Sequence, residues 1–201
     1  MTAFPQPFTR PLTVDEYLAL GEDEFGRSEL QGGSLVVSPS PSMRRSRVAR
    51  RLAWQLEDQL PLVVEAFPDI DVDLQLEPSD GPGWVRRPDL LITTTAAYER
   101  VVEGGGIARA SDVLVAVEVV SPGSKRVDHV AKHNEYADAG IMRYWIVDPD
   151  DPVTLIDCQP ADGLGYQDAG AVTGVFTTEI VDRSGTLRIP VRIDLDALLR
   201  R

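Results

Sequence analysis

Two acidic side chains lie beside apolar runs that have the composition of β-strands. Asp89 directly precedes the apolar residues 90–92, and Glu118 interrupts the apolar run 113–120. A buried charge must be paired or must bind a cation, because removing it from water is costly. Two such carboxylates on neighbouring strands would form a site for a divalent metal ion.

A helix that carries a lysine is predicted directly after the second of these strands. It covers residues 125–139, and Lys132 precedes Tyr136 by one turn. Asp128 falls on the same helical face as these two residues. The residues expected to pack inward are Val127, Val130 and Ala131. Two strand carboxylates and a helix lysine together predict a metal-dependent phosphodiesterase.

Length and charge limit the possible organisation and partners. The 201 residues, of which 43% are hydrophobic, suffice for one domain with a real core and are few for two. We therefore expect a single domain over residues 1–201, with an irregular segment at residues 1–11. The net charge of -12 argues against non-specific coating of nucleic acid, because phosphate binding depends on Lys and Arg. Any nucleic-acid contact must rest on local positive charge.

The sequence contains no pattern of a targeting segment or a membrane span. A basic stretch followed by an apolar one is missing at the N-terminus, and no run approaches about 18 apolar residues. We expect a cytoplasmic protein without a membrane partner. Cys158 is the single cysteine, which excludes an internal disulfide and a thiolate zinc cluster. Its strand-like surroundings predict a buried thiol.

The pattern of elements is that of an α/β protein. A β-hairpin is predicted around residues 31–34, followed by a helix over residues 44–60. That helix has a buried stripe of residues four apart, Val48, Leu52, Leu56 and Leu60. The strand 113–120, the lysine helix and a strand at 144–147 form a crossover of the kind that joins parallel strands. Further, mostly antiparallel strands are predicted at 154–158, 175–181 and 187–190.

Five short motifs follow one another along nearly the whole chain. They are Glu29-Leu30 with a Gly turn and Leu-Val-Val-Ser-Pro, Arg-Arg-Pro-Asp ending at Asp89, Glu-Val-Val-Ser-Pro-Gly-Ser starting at Glu118, the lysine helix, and Tyr-Trp-Ile-Val-Asp-Pro starting at Tyr144. In this order, over residues 13–199, they are similar to the family of putative restriction endonucleases within the PD-(D/E)XK nuclease superfamily. The order makes the resemblance specific, since each motif alone is weak.

The resemblance implies a restriction-endonuclease-like α/β fold, a mixed β-sheet flanked by helices with extra antiparallel strands at the C-terminus. Asp89 and Glu118 match the acids that bind the metal, and the carbonyl of Val119 would be a further ligand. Glu29 matches an N-terminal acid and would be a catalytic residue near the other two. Hard oxygen ligands of this kind suit Mg²⁺ or Mn²⁺. The implied activity is endonucleolytic hydrolysis of phosphodiester bonds in DNA.

The chain departs from the family pattern in ways that affect its cations. The superfamily's usual lysine is missing, because Val120 stands two residues after Glu118. The resemblance assigns its catalytic role to Lys132, whose charge could orient the attacking water or stabilise the phosphate. Lys125 and Arg126 lie at the mouth of the expected site and are the candidates for nucleic-acid binding. The family's His near the start of the long helix is replaced by residues 43–45, which favours a weakened activity.

Alternative interpretations stay open at this point. Asp89 could be a turn residue after proline, Glu118 a carboxylate paired to an arginine, and Lys132 a solvated helix residue. The overall acidity and the missing His favour a catalytically silent nuclease-fold module that binds or regulates, and a nuclease for RNA is a further alternative. A homodimer would suit the cutting of two strands.

The long helix also concentrates positive charge in this otherwise acidic chain. Its arginines are Arg44, Arg45, Arg47, Arg50 and Arg51. We expect a solvated or salt-bridged face, with phosphate contact beside Trp54 as the functional alternative.

Overall fold

The centre of the fold is a mixed β-sheet. A computed structural model describes residues 10–21, 27–37, 40–121, 124–125, 127–162 and 165–200. Within these ranges the sheet contains β3 (Val64–Phe67), β6 (Leu90–Thr94), β8 (Val113–Val119), β9 (Tyr144–Asp148), β10 (Thr154–Pro160) and β11 (Tyr166–Asp168). The spatial order is β11-β10-β9-β8-β6-β3. Strands β8 and β9 pair in parallel, as the crossover pattern predicts, and the other neighbours pair antiparallel.

The long helix α2 (Met43–Glu57) covers one face of this sheet. It begins after Ser42, whose hydroxyl accepts a hydrogen bond from the Arg45 amide and caps the first turn. Three residues of the predicted stripe, Val48, Leu52 and Leu56, are buried and pack in one apolar cluster with Val117 of β8. The helix ends at Glu57, before its predicted end at residue 60, and Leu60 is only partly buried. Every side chain of β8 is buried, which explains the continuous apolar run from Val113 to Val117.

A second, smaller sheet carries the N-terminal acid. Its strands are β1 (Ser28–Gln31), β2 (Ser34–Val37), β4 (Val72–Asp73), β5 (Val85–Arg86) and β7 (Ala108–Arg109), in the order β2-β1-β5-β4-β7. The predicted hairpin is β1 and β2, and Gly33 in its turn has φ 74°, with no room for a side chain beside Pro11. Helices α1 (Val14–Leu20) and α3 (Thr95–Gly104) complete the N-terminal half.

The helix after β8 differs from the prediction in shape and orientation. It consists of a π-helical segment, Val127–Lys132, followed by α4 (His133–Asp138). The expectation that the valines pack inward is wrong, since Val127 is 40% and Val130 53% exposed. Asp128 and Lys132 are buried instead. The physical reason is that this face meets Glu118 in the sheet, and a buried carboxylate requires a cation opposite it.

Strands β12 (Val175–Val181) and β13 (Arg188–Asp194) form the predicted antiparallel extension as a separate hairpin. Gln55 of α2 donates to the Asp194 carbonyl and accepts from the Asp194 amide, which ties the hairpin to the helix. The predicted fold class is therefore confirmed: mixed sheets flanked by helices, with extra antiparallel strands at the C-terminus. Cys158 is fully buried, as expected. Strands β5, β7 and β11 were not predicted.

Two other expectations concern chain segments rather than the core. The irregular segment at residues 1–11 falls almost entirely outside the described residues. Among the residues that are described, none of the helices combines the length and apolar character needed to cross a membrane.

The packing of α2 on the sheet predicts that substitutions at buried and at exposed positions of this helix change the free energy of unfolding by different amounts. Leu52→Ala should lower the free energy of unfolding by about 2 to 5 kcal/mol, because it leaves a cavity in a fully buried position. Met43→Ala is the control on the same helix, where the side chain is 90% exposed and the change should be within about 0.5 kcal/mol. Urea unfolding measures both, and equal losses would contradict the packing described.

Candidate active site

The register of two central strands brings the predicted acids together. Leu90 of β6 pairs with Val117 of β8 in an antiparallel ladder, so the next pair along the ladder is Asp89 and Glu118. Side chains directly opposite each other project from the same face of a sheet. Both carboxylates are buried, with 3% and 0% of the residue exposed. The structure thus places the two acids side by side inside the protein.

One guanidinium lies between these carboxylates. The Arg45 Nε of α2 donates to Asp89 Oδ1 at 2.6 Å and Oδ2 at 2.7 Å. An Arg45 terminal nitrogen donates to Glu118 Oε2 at 3.2 Å. The carboxylates outweigh burial and raise the pKa of Arg45, so its charge is permanent. Both acids therefore converge on one cation.

Asp89 and Glu118 differ in their other partners, and Arg27 lies 3.7 Å from Asp89 Oδ1 as a second cation. The Val119 amide donates to Asp89 Oδ2 at 2.7 Å, while Lys132 Nζ lies 2.6 Å and the Tyr136 hydroxyl 3.2 Å from Glu118 Oε1. Burial raises the pKa of Asp89, although Arg45 opposes that shift. Burial also raises the pKa of Glu118 to about 8, with the Asp89 charge adding to the rise and Lys132 opposing it.

Lys132 joins the third predicted acid to this pair. Its ammonium lies 3.2 Å from Glu29 Oε1 in addition to its contact with Glu118. Burial of the ammonium is outweighed by the carboxylates of Glu118, Glu29 and Asp128, which raise the pKa of Lys132. The lysine therefore stays charged and reaches back from the helix to the strands.

Glu29 is held from its other side by residues of β5 and the connection after it. Arg86 donates to Glu29 Oε2 at 2.9 Å, and the Arg87 amide donates to Glu29 Oε1 at 3.1 Å. These donors and Lys132 outweigh burial and lower the pKa of Glu29. Arg86 is fully buried and also binds both carboxylate oxygens of Glu135 in α4. Glu29 is thus an ionised acid that fixes Lys132.

Of the two predicted nucleic-acid residues, the structure describes Lys125, whose ion pairs lie outside this buried cluster. Lys125 Nζ is 2.9 Å from Asp148 Oδ2 and 3.4 Å from Asp150 Oδ2, and its side chain is 49% exposed. Asp150 also pairs with Arg44 at the start of α2. Arg126 lies outside the described residues. Lys125 is therefore accessible but already paired to acids.

Two residues of the cluster were not among the predicted site residues. The sequence predicts a solvated or salt-bridged helix face for Arg45, and the signal that could have singled it out is its place within residues 43–45, where the resemblance implies a His. Asp128 was recognised as sharing a face with Lys132 without being assigned a role. Its Oδ2 is buried and has no hydrogen-bond partner among the described residues. A buried carboxylate oxygen without a donor is open to a cation.

The oxygen atoms of the cluster are of the chemical type that a divalent metal ion binds. Asp89 and Glu118 supply two carboxylates that already share one cation, and Asp128 adds an unpaired oxygen nearby on the helix. Hard oxygen donors are the ligands that Mg²⁺ and Mn²⁺ prefer. The Val119 amide faces Asp89, so any ligand from Val119 must be its carbonyl. This agreement concerns the type of ligand atom, because the Arg45 guanidinium occupies the point between the two carboxylates.

Comparison with solved structures gives the same fold. The crystal structure of a putative nuclease belonging to DUF820 from Anabaena variabilis ATCC 29413 matches with a TM-score of 0.61 over 94% of this chain and 97% of that chain. The two sequences are 19% identical, so the likeness concerns the fold. No curated protein shows a significant match to the chain.

Comparison with family models extends over most of the sequence. The model of the Uma2 family, described as "Putative restriction endonuclease", matches residues 14–182. This range includes Glu29, Asp89, Glu118 and Lys132 as well as the long helix that carries Arg45. The chain therefore belongs to the Uma2 family of putative restriction endonucleases.

Proposed function

We propose that the protein is a Mg²⁺-dependent endonuclease that hydrolyses phosphodiester bonds in DNA, acting as a single domain over residues 1–201. The observation that carries the proposal is the pair of buried carboxylates, Asp89 and Glu118, which face one cation with Lys132 at 2.6 Å from Glu118. Membership of a nuclease family supports the reaction class.

Each residue of the cluster has a distinct part in this proposal. Asp89 and Glu118 would hold the metal ion, together with the Val119 carbonyl. A bound Mg²⁺ or Mn²⁺ would supply a more acidic water and charge neutralisation at the phosphate. The Lys132 ammonium is placed by Glu29 and Glu118, from where it can orient the nucleophilic water or stabilise charge on the phosphate.

Positive charge for the substrate is available at the surface around this cluster. Arg50 lies over the Trp54 ring at 4.4 Å, and Trp54 is 51% exposed. Arginine beside an exposed aromatic ring suits a nucleic-acid strand, whose phosphates pair with the cation and whose bases stack. Lys125 would contribute a further phosphate contact once released from Asp148.

A second candidate function has its own supporting observation. The Arg45 guanidinium already satisfies Asp89 and Glu118, which is the arrangement of a silent nuclease-fold module that binds nucleic acid without cutting it. Metal binding distinguishes the two functions, because a silent module is expected to keep Arg45 at the two carboxylates and to bind no divalent ion.

Glu118→Gln should abolish Mn²⁺ binding measured by isothermal titration calorimetry. The substitution keeps the shape of the side chain and removes the negative charge that Glu118 would bring to the metal ion. Glu179→Gln, on the exposed surface of β12, is the control and should bind as the wild type does. Wild-type affinity in Glu118→Gln would show that the ligand assignment is wrong.

Metal affinity should depend on pH through Glu118. Its pKa of about 8 means that the folded protein keeps a proton on this carboxyl at neutral pH, and a metal ion must displace it. Mn²⁺ affinity is therefore expected to rise by about tenfold per pH unit below that pKa and to level off above it. Calorimetry in buffers of different ionisation enthalpy detects the released proton. An affinity that stays constant between about pH 6 and 8 would contradict this.

Lys132→Met should retain metal binding and lower Mn²⁺-supported cleavage of DNA by about a hundredfold or more, the scale of losing one positioned electrostatic group. The acids that bind the metal remain in this variant. Lys125→Met is the control, since the exposed Lys125 should affect mainly DNA binding, in a salt-dependent way. Cleavage of a labelled oligonucleotide under single-turnover conditions measures both, and unchanged cleavage by Lys132→Met would refute its role.

A further inference from the structure

Arg45 occupies the point where a metal ion bound to Asp89 and Glu118 would sit. Its nitrogens lie 2.6 to 3.2 Å from oxygens of both carboxylates. A guanidinium and a divalent ion cannot both fill this space, and both carry positive charge. Arg45 therefore competes with the metal sterically and electrostatically.

The guanidinium cannot leave by losing its proton. Arginine stays protonated throughout the physiological range, and the two carboxylates raise the pKa of Arg45 further. It must therefore leave as a cation, and an anion that takes over its donors favours this exit. A phosphodiester is suited to this exchange, because a guanidinium donates two parallel hydrogen bonds to phosphate as readily as to carboxylate.

The position of Arg45 gives a phosphate access to it. Arg45 lies in the first turn of α2, and its side chain is 14% exposed although its partners are buried. A groove of about 310 Å³ runs beside the helix, and Arg50, Trp54 and Asp89 are among the residues that line it. The groove reaches Asp89, to which Arg45 donates, so a strand that follows the Arg50 and Trp54 side of the helix would approach the guanidinium beside that carboxylate.

We propose that Arg45 is a resident cation that weakens binding of the divalent metal to Asp89 and Glu118, and that a DNA phosphate relieves this competition by taking over its guanidinium, so that metal and DNA bind with positive coupling. This inference rests on the proposed function, because it assumes that the two acids bind a metal. Binding linkage is reciprocal, and DNA must therefore raise metal affinity by the same factor by which metal raises DNA affinity.

The test is Mn²⁺ binding by isothermal titration calorimetry to the full-length wild type, Arg45→Met and Arg44→Met, without nucleic acid. Arg45→Met should bind Mn²⁺ at least about tenfold more tightly than the wild type, because one positive charge next to both ligands is removed. Arg44→Met is the matched control, since Arg44 is an adjacent, 57% exposed arginine paired to Asp150, and it should bind as the wild type does. Arg45→Lys, which keeps one positive charge, should bind Mn²⁺ with an affinity between those of the wild type and Arg45→Met.

A second measurement tests the exchange with phosphate. A short phosphorothioate DNA duplex should tighten Mn²⁺ binding to the wild type by about tenfold or more, after correction for Mn²⁺ bound by the duplex alone, and should tighten it less in Arg45→Met. Thermal unfolding with and without Mn²⁺ checks that each variant is folded. The Mn²⁺-induced rise in Tm should be larger for Arg45→Met than for the wild type, because metal then replaces a missing cation.

The outcomes separate this inference from the proposed function. If the wild type binds Mn²⁺ through Glu118 and Arg45→Met binds it no more tightly, the resident-cation role is wrong and the metal site stands. If DNA tightens Mn²⁺ binding equally in both proteins, the exchange with phosphate is wrong. If none of the proteins binds Mn²⁺ with or without DNA, both the inference and the proposed metal-dependent activity are wrong.

Discussion

The structure depends on the burial of two carboxylates beside each other in the central sheet. Asp89 and Glu118 face the same side of a sheet that is covered on both faces, where an isolated negative charge is strongly unfavourable. They can remain there only if cations and hydrogen-bond donors surround them. Arg45, Lys132, Tyr136 and the Val119 amide meet this requirement from two helices and the neighbouring strand. The acids thereby determine which faces of those helices turn inward.

This requirement links the site to the rest of the fold through alternating charges. Lys132 lies between Glu118 and Glu29, and Arg86 lies between Glu29 and Glu135. The chain of ion pairs runs from the central sheet through the smaller sheet to α4. Removing one member of a buried ion pair leaves an uncompensated charge, which costs more than the pair contributes. The chemistry of the site and the stability of the fold therefore rest on the same residues.

The positive charge of Arg45 is permanent, and it lies next to both acids. The histidine that the family resemblance implies near the start of the long helix would titrate near neutral pH and could become neutral when a metal ion approaches. A guanidinium keeps its charge and must be moved instead. An active nuclease and a silent binding module then differ in whether the guanidinium is displaced, with the same acids present in both cases.

The sequence by itself determined the fold class, the order of the elements and the two strand acids. These follow from local patterns: apolar runs interrupted by Asp89 and Glu118, a helical stripe containing Leu52, and motifs in family order. Only the tertiary structure decided that Arg45 rather than solvent meets the acids, and that Val130 is exposed while Asp128 is buried. The physical reason is that these outcomes depend on charges far apart in sequence. Which face of a helix turns inward is settled by the buried carboxylates it must compensate, and no local pattern contains that information.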